Sequence, residues 1–145
     1  IQPEQHIREM GVRIKFNPLK EIVKGKRIII IDDSIVRGTT IKKIVKMLRS
    51  CGAKKIHIRV CSPPVTDPCY FGIDTPDKKQ LIASGMTVAE IEKFVGADSL
   101  AYLSLEGLKK ASRVKSNRLC TSCFDGKYPI PVKGGFRKDV FEKIN

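Results

Sequence analysis

Apolar and polar positions recur along this chain in several distinct rhythms, and each rhythm predicts an element. Ile28 to Ile31 is an unbroken apolar run. It predicts a strand buried on both faces, as in the interior of a parallel sheet. After a short loop, Ile41, Ile44, Val45 and Leu48 recur at i, i+3, i+4 and i+7, which is one face of a helix. Gly52 suits the left-handed position that closes such a helix. Lys55 to Cys61 then alternates with period 2 and predicts a second strand, with His57 pointing away from Ile56 and Ile58 toward a polar face. Strand, helix and strand make one βαβ unit, so the fold class is α/β with a parallel sheet and flanking helices. A ligand in such a sheet sits beyond the carboxyl ends of the strands.

The flanking segments are read the same way. Gln2 to Met10 predicts a short helix, with Pro3 at its first position and Gly11 at its exit. Val12 to Phe16 alternates like a half-buried strand, and Asn17-Pro18 forms a turn. Leu19 to Val23 is one helical turn. Ser62 to Asp74 carries Pro and Gly and is a long loop, a kind of segment that is often functional. Thr75 and Pro76 suit the N-cap and first position of a helix through Ser84. Thr87 to Glu90 is a capping box for a helix ending near Gly96. Ser99 to Leu103 reads as a short strand, and Ser104 caps a brief helix carrying Leu105 and Leu108.

Composition narrows the function classes. A length of 145 residues suits one domain, and 41% hydrophobic residues suffice for a core. The formal charge of +13 favours a phosphate-bearing partner. Nucleic acid is disfavoured because there is no Trp and few aromatics lie among the basic residues. Lys42, Lys43, Lys46 and Arg49 are the solvated side of the central helix. No apolar run approaches the ~20 residues of a membrane span. The start, IQPEQHIREMG, has neither signal- nor transit-peptide character, and it reads as the start of a fragment or processed product. Five cysteines, an odd number, do not form a secreted disulfide scaffold, so the cytoplasm is the expected compartment.

Candidate chemistry concentrates where the isoleucine run ends. Asp32 and Asp33 follow it at once, then Ser34 to Gly38, then the helix N-terminus. Backbone N–H groups of Arg37 to Thr40 suit an anion, which the helix dipole also favours. The hydroxyls of Ser34, Thr39 and Thr40 add donors. Asp32 and Asp33 cannot hold phosphate, so they face something beside it, either sugar hydroxyls or a hard cation such as Mg²⁺. A ligand with a phosphate, a diol and a metal is a ribose phosphate. The bland alternative is an ordinary strand end with Asp33 in a turn. Neither GxxxxGK nor GxGxxG is present.

DDSIVRGTT resembles the phosphoribosyl-pyrophosphate (PRPP) loop of type I phosphoribosyltransferases, and its SIVRGTT form is similar to that of the amidophosphoribosyltransferases. Further similarity to that family lies in the opening IQP, Gly25-Lys26-Arg27, Ser62-Pro63-Pro64, Pro68 to Asp74, Leu81 to Ser84, Gly96 to Leu100, Ser104 to Leu108 and the CxxCF-DGKYP stretch ending at Pro129. The resemblance covers roughly Ile1 to Pro131. It implies a partial type I phosphoribosyltransferase, Rossmann-like sheet over 1–112, the C-terminal portion of that domain. Residues 113–145 then form a basic, cysteine-bearing tail, for which disorder is expected. It further implies that Asp32, Asp33, Ser34, Ile35, Val36, Arg37, Gly38, Thr39 and Thr40 bind PRPP. Asp32 and Asp33 hold the ribose hydroxyls and Mg²⁺, and Lys15 is a candidate nucleotide ligand that an exposed strand lysine explains equally well.

Cys120-Thr121-Ser122-Cys123 brings two thiols within reach of one ion. On spacing alone zinc, an iron–sulfur cluster, a redox pair and free thiols all remain open. The resemblance assigns Cys69, Cys120 and Cys123 to a 4Fe-4S cluster whose fourth ligand has no counterpart here, so the ligand set is incomplete. Cys51 and Cys61 match no ligand position and are expected to be buried. The family's reaction moves an amino group from glutamine onto PRPP in purine biosynthesis, a pentosyl transfer. The family's glutaminase domain and pyrophosphate loop have no counterpart in these residues. No catalytic residue is identified, and the chain alone is expected to bind rather than turn over. Its rivals are a non-catalytic PRPP- or purine-nucleotide-binding regulatory module and a basic nucleic-acid-binding domain. A sheet lacking a flank also implies a homo-oligomer or a companion chain.

Overall fold

The computed structural model describes residues 20–131 apart from 74 and 76. The expected helix over Gln2–Met10, the strand over Val12–Phe16, and Lys15 lie outside the described residues. The isoleucine run forms β1 (Arg27–Asp32), after a single helical turn α1 (Lys20–Val23). The amphipathic segment forms α2 (Thr39–Ser50), and β2 (Lys55–Val60) follows. Gly52 has φ 87° and so serves the helix exit as its sequence context requires. Two 3₁₀ turns, Lys78–Gln80 and Ile82–Ser84, lead to α3 (Val88–Val95). β3 (Ser99–Tyr102), α4 (Leu105–Ser112), a 3₁₀ turn (Ser116–Arg118) and α5 (Ser122–Asp125) complete the order.

The sheet is parallel with strand order β1-β2-β3. Ile28 pairs with Ile56, Ile30 with Ile58 and Ile58 with Leu100, which puts these side chains on one face by the period-2 pleat. α2 and α3 cover that face through Ile41, Val45, Leu48, Ile91 and Val95, all buried. Both helices earn their position by amphipathicity, and α3 carries the expected capping box between Thr87 and Glu90. Ser104 likewise accepts from the Gly107 N–H at 3.0 Å and caps α4.

Three sequence expectations are corrected here. β1 is not buried on both faces: Ile29 and Ile31 are 66% and 72% exposed, because no described element covers the face they share with Arg59 and Ala101. The helix from Thr75 to Ser84 is replaced by two 3₁₀ turns separated by Leu81 in an extended conformation. Asp77, rather than Thr75, caps the first of them by accepting from the Lys79 N–H. The cause is tertiary, since the Ile82 N–H donates to the Val36 carbonyl at 2.8 Å and is lost to any helix ladder. Cys61 is exposed rather than buried, whereas Cys51 packs against the core.

Beyond α4 the chain returns to the long loop. The N–H groups of Thr66 and Asp67 donate to the Cys123 carbonyl at 2.9 and 3.1 Å, and the Tyr128 hydroxyl donates to the Pro68 carbonyl at 2.8 Å. Tyr128 also stacks at a tilt on Tyr70, ring centroids 5.1 Å apart. These polar and aromatic anchors need no apolar period, and the segment shows none. No helix among the described residues is long and apolar enough to cross a membrane.

Candidate functional site

β1 ends at Asp32, and the chain leaves the sheet there because the next positions have no ladder to join. Asp32 accepts the Asp33 N–H on Oδ1 at 3.0 Å, and Asp33 accepts the Ser34 N–H at 2.9 Å. Each carboxylate thus has one oxygen engaged in the turn. Partial burial pushes the Asp32 carboxyl above its ordinary range, and the neighbouring Asp33 carboxylate adds to this. The loop then buries Ile35 into the core and turns at Gly38.

Gly38 is required twice over. Its φ is 72°, and a Cβ there would lie 2.7 Å from Ile82 Cδ1 and 3.3 Å from Phe94 Cε1. Gly38 is also the N-cap of α2, so no side chain caps that helix. The first amides of α2 are therefore left to whatever lies in front of them. In front of them is a pocket of about 500 Å³, lined by Asp32, Asp33, Ser34, Ile35, Val36, Arg37, Gly38, Thr39, Thr40, Ile41 and Thr75.

All nine residues from Asp32 to Thr40 that the sequence singles out meet in this one cavity. Two others escape sequence reading. Thr75 arrives from the far end of the long loop, where local chemistry predicts a helix cap. Gln80 accepts a hydrogen bond from Arg37 Nη2 on Oε1. No signal in the sequence ties Gln80 to Arg37, because the contact spans 43 positions.

Two carboxylates beside a helix N-terminus are a donor set that suits Mg²⁺, which takes one or two protein carboxylates and completes its shell with water and other oxygens. The cysteines are less well arranged. Burial raises the Cys123 thiol, with Cys69 and Cys120 contributing, whereas the Ser122 hydroxyl lowers Cys120. The three thiols are thus neighbours. Among the described residues, however, no group of three or more His, Cys, Asp or Glu converges as a metal site.

Residues 2–67 match the phosphoribosyl transferase domain family. The loop, the pocket and the parallel sheet define the class: this is part of a type I phosphoribosyltransferase fold. More narrowly, the chain belongs to the amidophosphoribosyltransferase family. It is 55% identical over 138 residues to an amidophosphoribosyltransferase of Synechocystis, covering 95% of this chain and 28% of the relative. With an amidophosphoribosyltransferase of Mycobacterium bovis it shares 49% identity over 151 aligned positions, 99% of this chain and 29% of the relative. A solved glutamine PRPP amidotransferase from B. subtilis, complexed with ADP and GMP, superposes with TM-score 0.76 at 49% identity over 89% of this chain and 29% of its own. The chain thus spans under a third of the length of the curated relatives it matches.

Proposed function

We propose that this chain supplies the ribose 5-phosphate pocket of an amidophosphoribosyltransferase, the purine-biosynthetic enzyme that forms phosphoribosylamine from PRPP. The observation that carries this reading is the convergence of Asp32 to Thr40 on one cavity at the carboxyl end of β1, in front of an uncapped twelve-residue helix. The phosphate meets the first amides of α2, the hydroxyls of Ser34, Thr39 and Thr40, and the Arg37 guanidinium. The free oxygens of Asp32 and Asp33 accept from the ribose hydroxyls, which sets the sugar's orientation relative to its phosphate. Mg²⁺ held by Asp32 and Asp33 would supply charge compensation for a pyrophosphate. Positioning of this kind is the contribution these residues make to a displacement at the anomeric carbon.

The pocket suits PRPP or a purine nucleoside monophosphate. The B. subtilis relative is complexed with ADP and GMP, which supports purine-nucleotide binding as a second, regulatory reading. The exposed Ile29 and Ile31 favour a second copy or a companion chain against that face. Five free thiols suit a reducing compartment, and the cytoplasm is our choice.

Calorimetric titration with PRPP, AMP and GMP, each with and without Mg²⁺, tests the reading. The native protein is expected to bind at least one of these ligands. Asp33→Asn is expected to weaken that binding at least about tenfold, the weight of one hydrogen bond to a charged group. A folded sample that binds none of them overturns the reading. Tight binding to DNA that collapses with added salt, together with no nucleotide binding, would install the nucleic-acid alternative instead.

A further inference from the structure

The pocket loop is braced from one side by the segment from Lys78 to Ile82, which lies more than forty positions away in sequence. Three contacts make the brace. The Ile82 N–H donates to the Val36 carbonyl at 2.8 Å, which fixes the loop's height. Ile82 Cδ1 and the Phe94 ring close over Gly38, so the turn into α2 cannot shift toward them. Gln80 Oε1 accepts from Arg37 Nη2. The brace is itself held at its other end, where Lys78 Nζ donates to Asp67 Oδ1 at 2.7 Å and the Ser84 hydroxyl donates to the Lys78 carbonyl at 2.8 Å. Although partial burial works upward on Asp67, the hydrogen bonds from Lys78 and Thr66 hold its carboxyl below its ordinary value, so this anchor stays charged near neutral pH.

Among the described residues Arg37 is the one cation lining the pocket, and it is exposed. A free arginine has several rotamers to lose when it meets an anion, and that loss opposes binding. Gln80 occupies one of its five N–H donors with a neutral oxygen and leaves the remainder of the fork for the ligand. We propose that Gln80 is a positioning residue, one that holds the Arg37 guanidinium over the phosphate end of the pocket before the ligand arrives. This inference rests on the ribose-phosphate reading above and extends it to a residue on a separate turn of the chain.

The test is a double-mutant cycle read by calorimetry, with GMP and, separately, PRPP as the probes. Four proteins are compared: native, Gln80→Leu, Arg37→Ala and the double variant. Gln80→Leu keeps the side chain's bulk and removes the acceptor. It is expected to weaken binding about fivefold in the native background, the cost of ordering one rotamer-rich side chain on binding. In the Arg37→Ala background the same change is expected to cost nothing. Thermal melts of the four proteins show that each is folded.

A Gln80→Leu loss of equal size in both backgrounds would mean that Gln80 only supports the turn, and would overturn the inference while the ribose-phosphate reading stands. Native-like binding by Gln80→Leu would overturn it in the same way. If native protein binds neither probe and Asp33→Asn makes no difference, both readings fall together.

Discussion

Gly38 shows how much of a site one residue can decide. Its left-handed φ of 72° is reached cheaply only without a Cβ, and the space where a Cβ would sit is taken by Ile82 and Phe94. Gly38→Ala is expected to cost about 1–2 kcal/mol of stability from the backbone conformation alone. Ile82 Cδ1 can yield part of the clash, because it ends a side chain, but only by pushing on the brace that carries Gln80. The variant is therefore expected to lose ligand affinity beyond its stability loss. A urea melt and a GMP titration of the same sample check the two effects separately. The glycine itself was legible in the sequence as part of a small-residue loop. Its two packing neighbours were not, because Ile82 and Phe94 come from segments far along the chain.

At the scale of elements, Asp98 ties the layers together. Oδ1 accepts from Lys55 Nζ at 2.9 Å at the start of β2, and Oδ2 accepts from the Ile56 N–H at 2.8 Å and from Arg49 near the end of α2. The Lys55 hydrogen bond, followed by the Ile56 amide and Arg49, holds the Asp98 carboxyl far below its ordinary value of 3.8. A depressed carboxyl stabilises the fold fully above its unfolded value and loses that contribution as pH falls through the folded value. Asp98→Ala is accordingly expected to lower Tm at pH 7, and the gap from native should shrink as pH is taken below about 4. Melts at a series of pH values decide this, and a gap that stays constant into acid would contradict it. Element boundaries followed local chemistry wherever caps governed them, as at Thr87 and Ser104. They departed from it between Thr75 and Ser84, where the Val36 carbonyl captured the Ile82 amide and a nominal helix became two tight turns.

For the whole molecule, the sheet is asymmetric. One face is filled by isoleucine, valine and leucine under α2 and α3, while the other presents Ile29 and Ile31 on the outermost strand among the described residues. An exposed apolar face of this kind invites association. The chain is expected to self-associate in a concentration-dependent way, and Ile29→Lys combined with Ile31→Lys is expected to shift it toward monomer without lowering Tm. Sedimentation velocity over a range of concentrations checks this. A native chain that stays monomeric would point instead to a companion polypeptide as the partner for that face.

The sequence by itself determined the α/β class, the order of βαβ elements, the caps of α3 and α4 and the identity of the loop from Asp32 to Thr40. All of these are local: periodicity, capping chemistry and a contiguous motif are written in neighbouring residues. Only the tertiary structure decided that one face of β1 lies open, that Thr75 lines the pocket and Gln80 meets Arg37, and that the segment around α5 fastens the long loop at Thr66 to Pro68. Those facts depend on contacts between distant segments made through single hydrogen bonds and van der Waals closures. Such contacts leave no period in the chain, and so no sequence rhythm could have announced them.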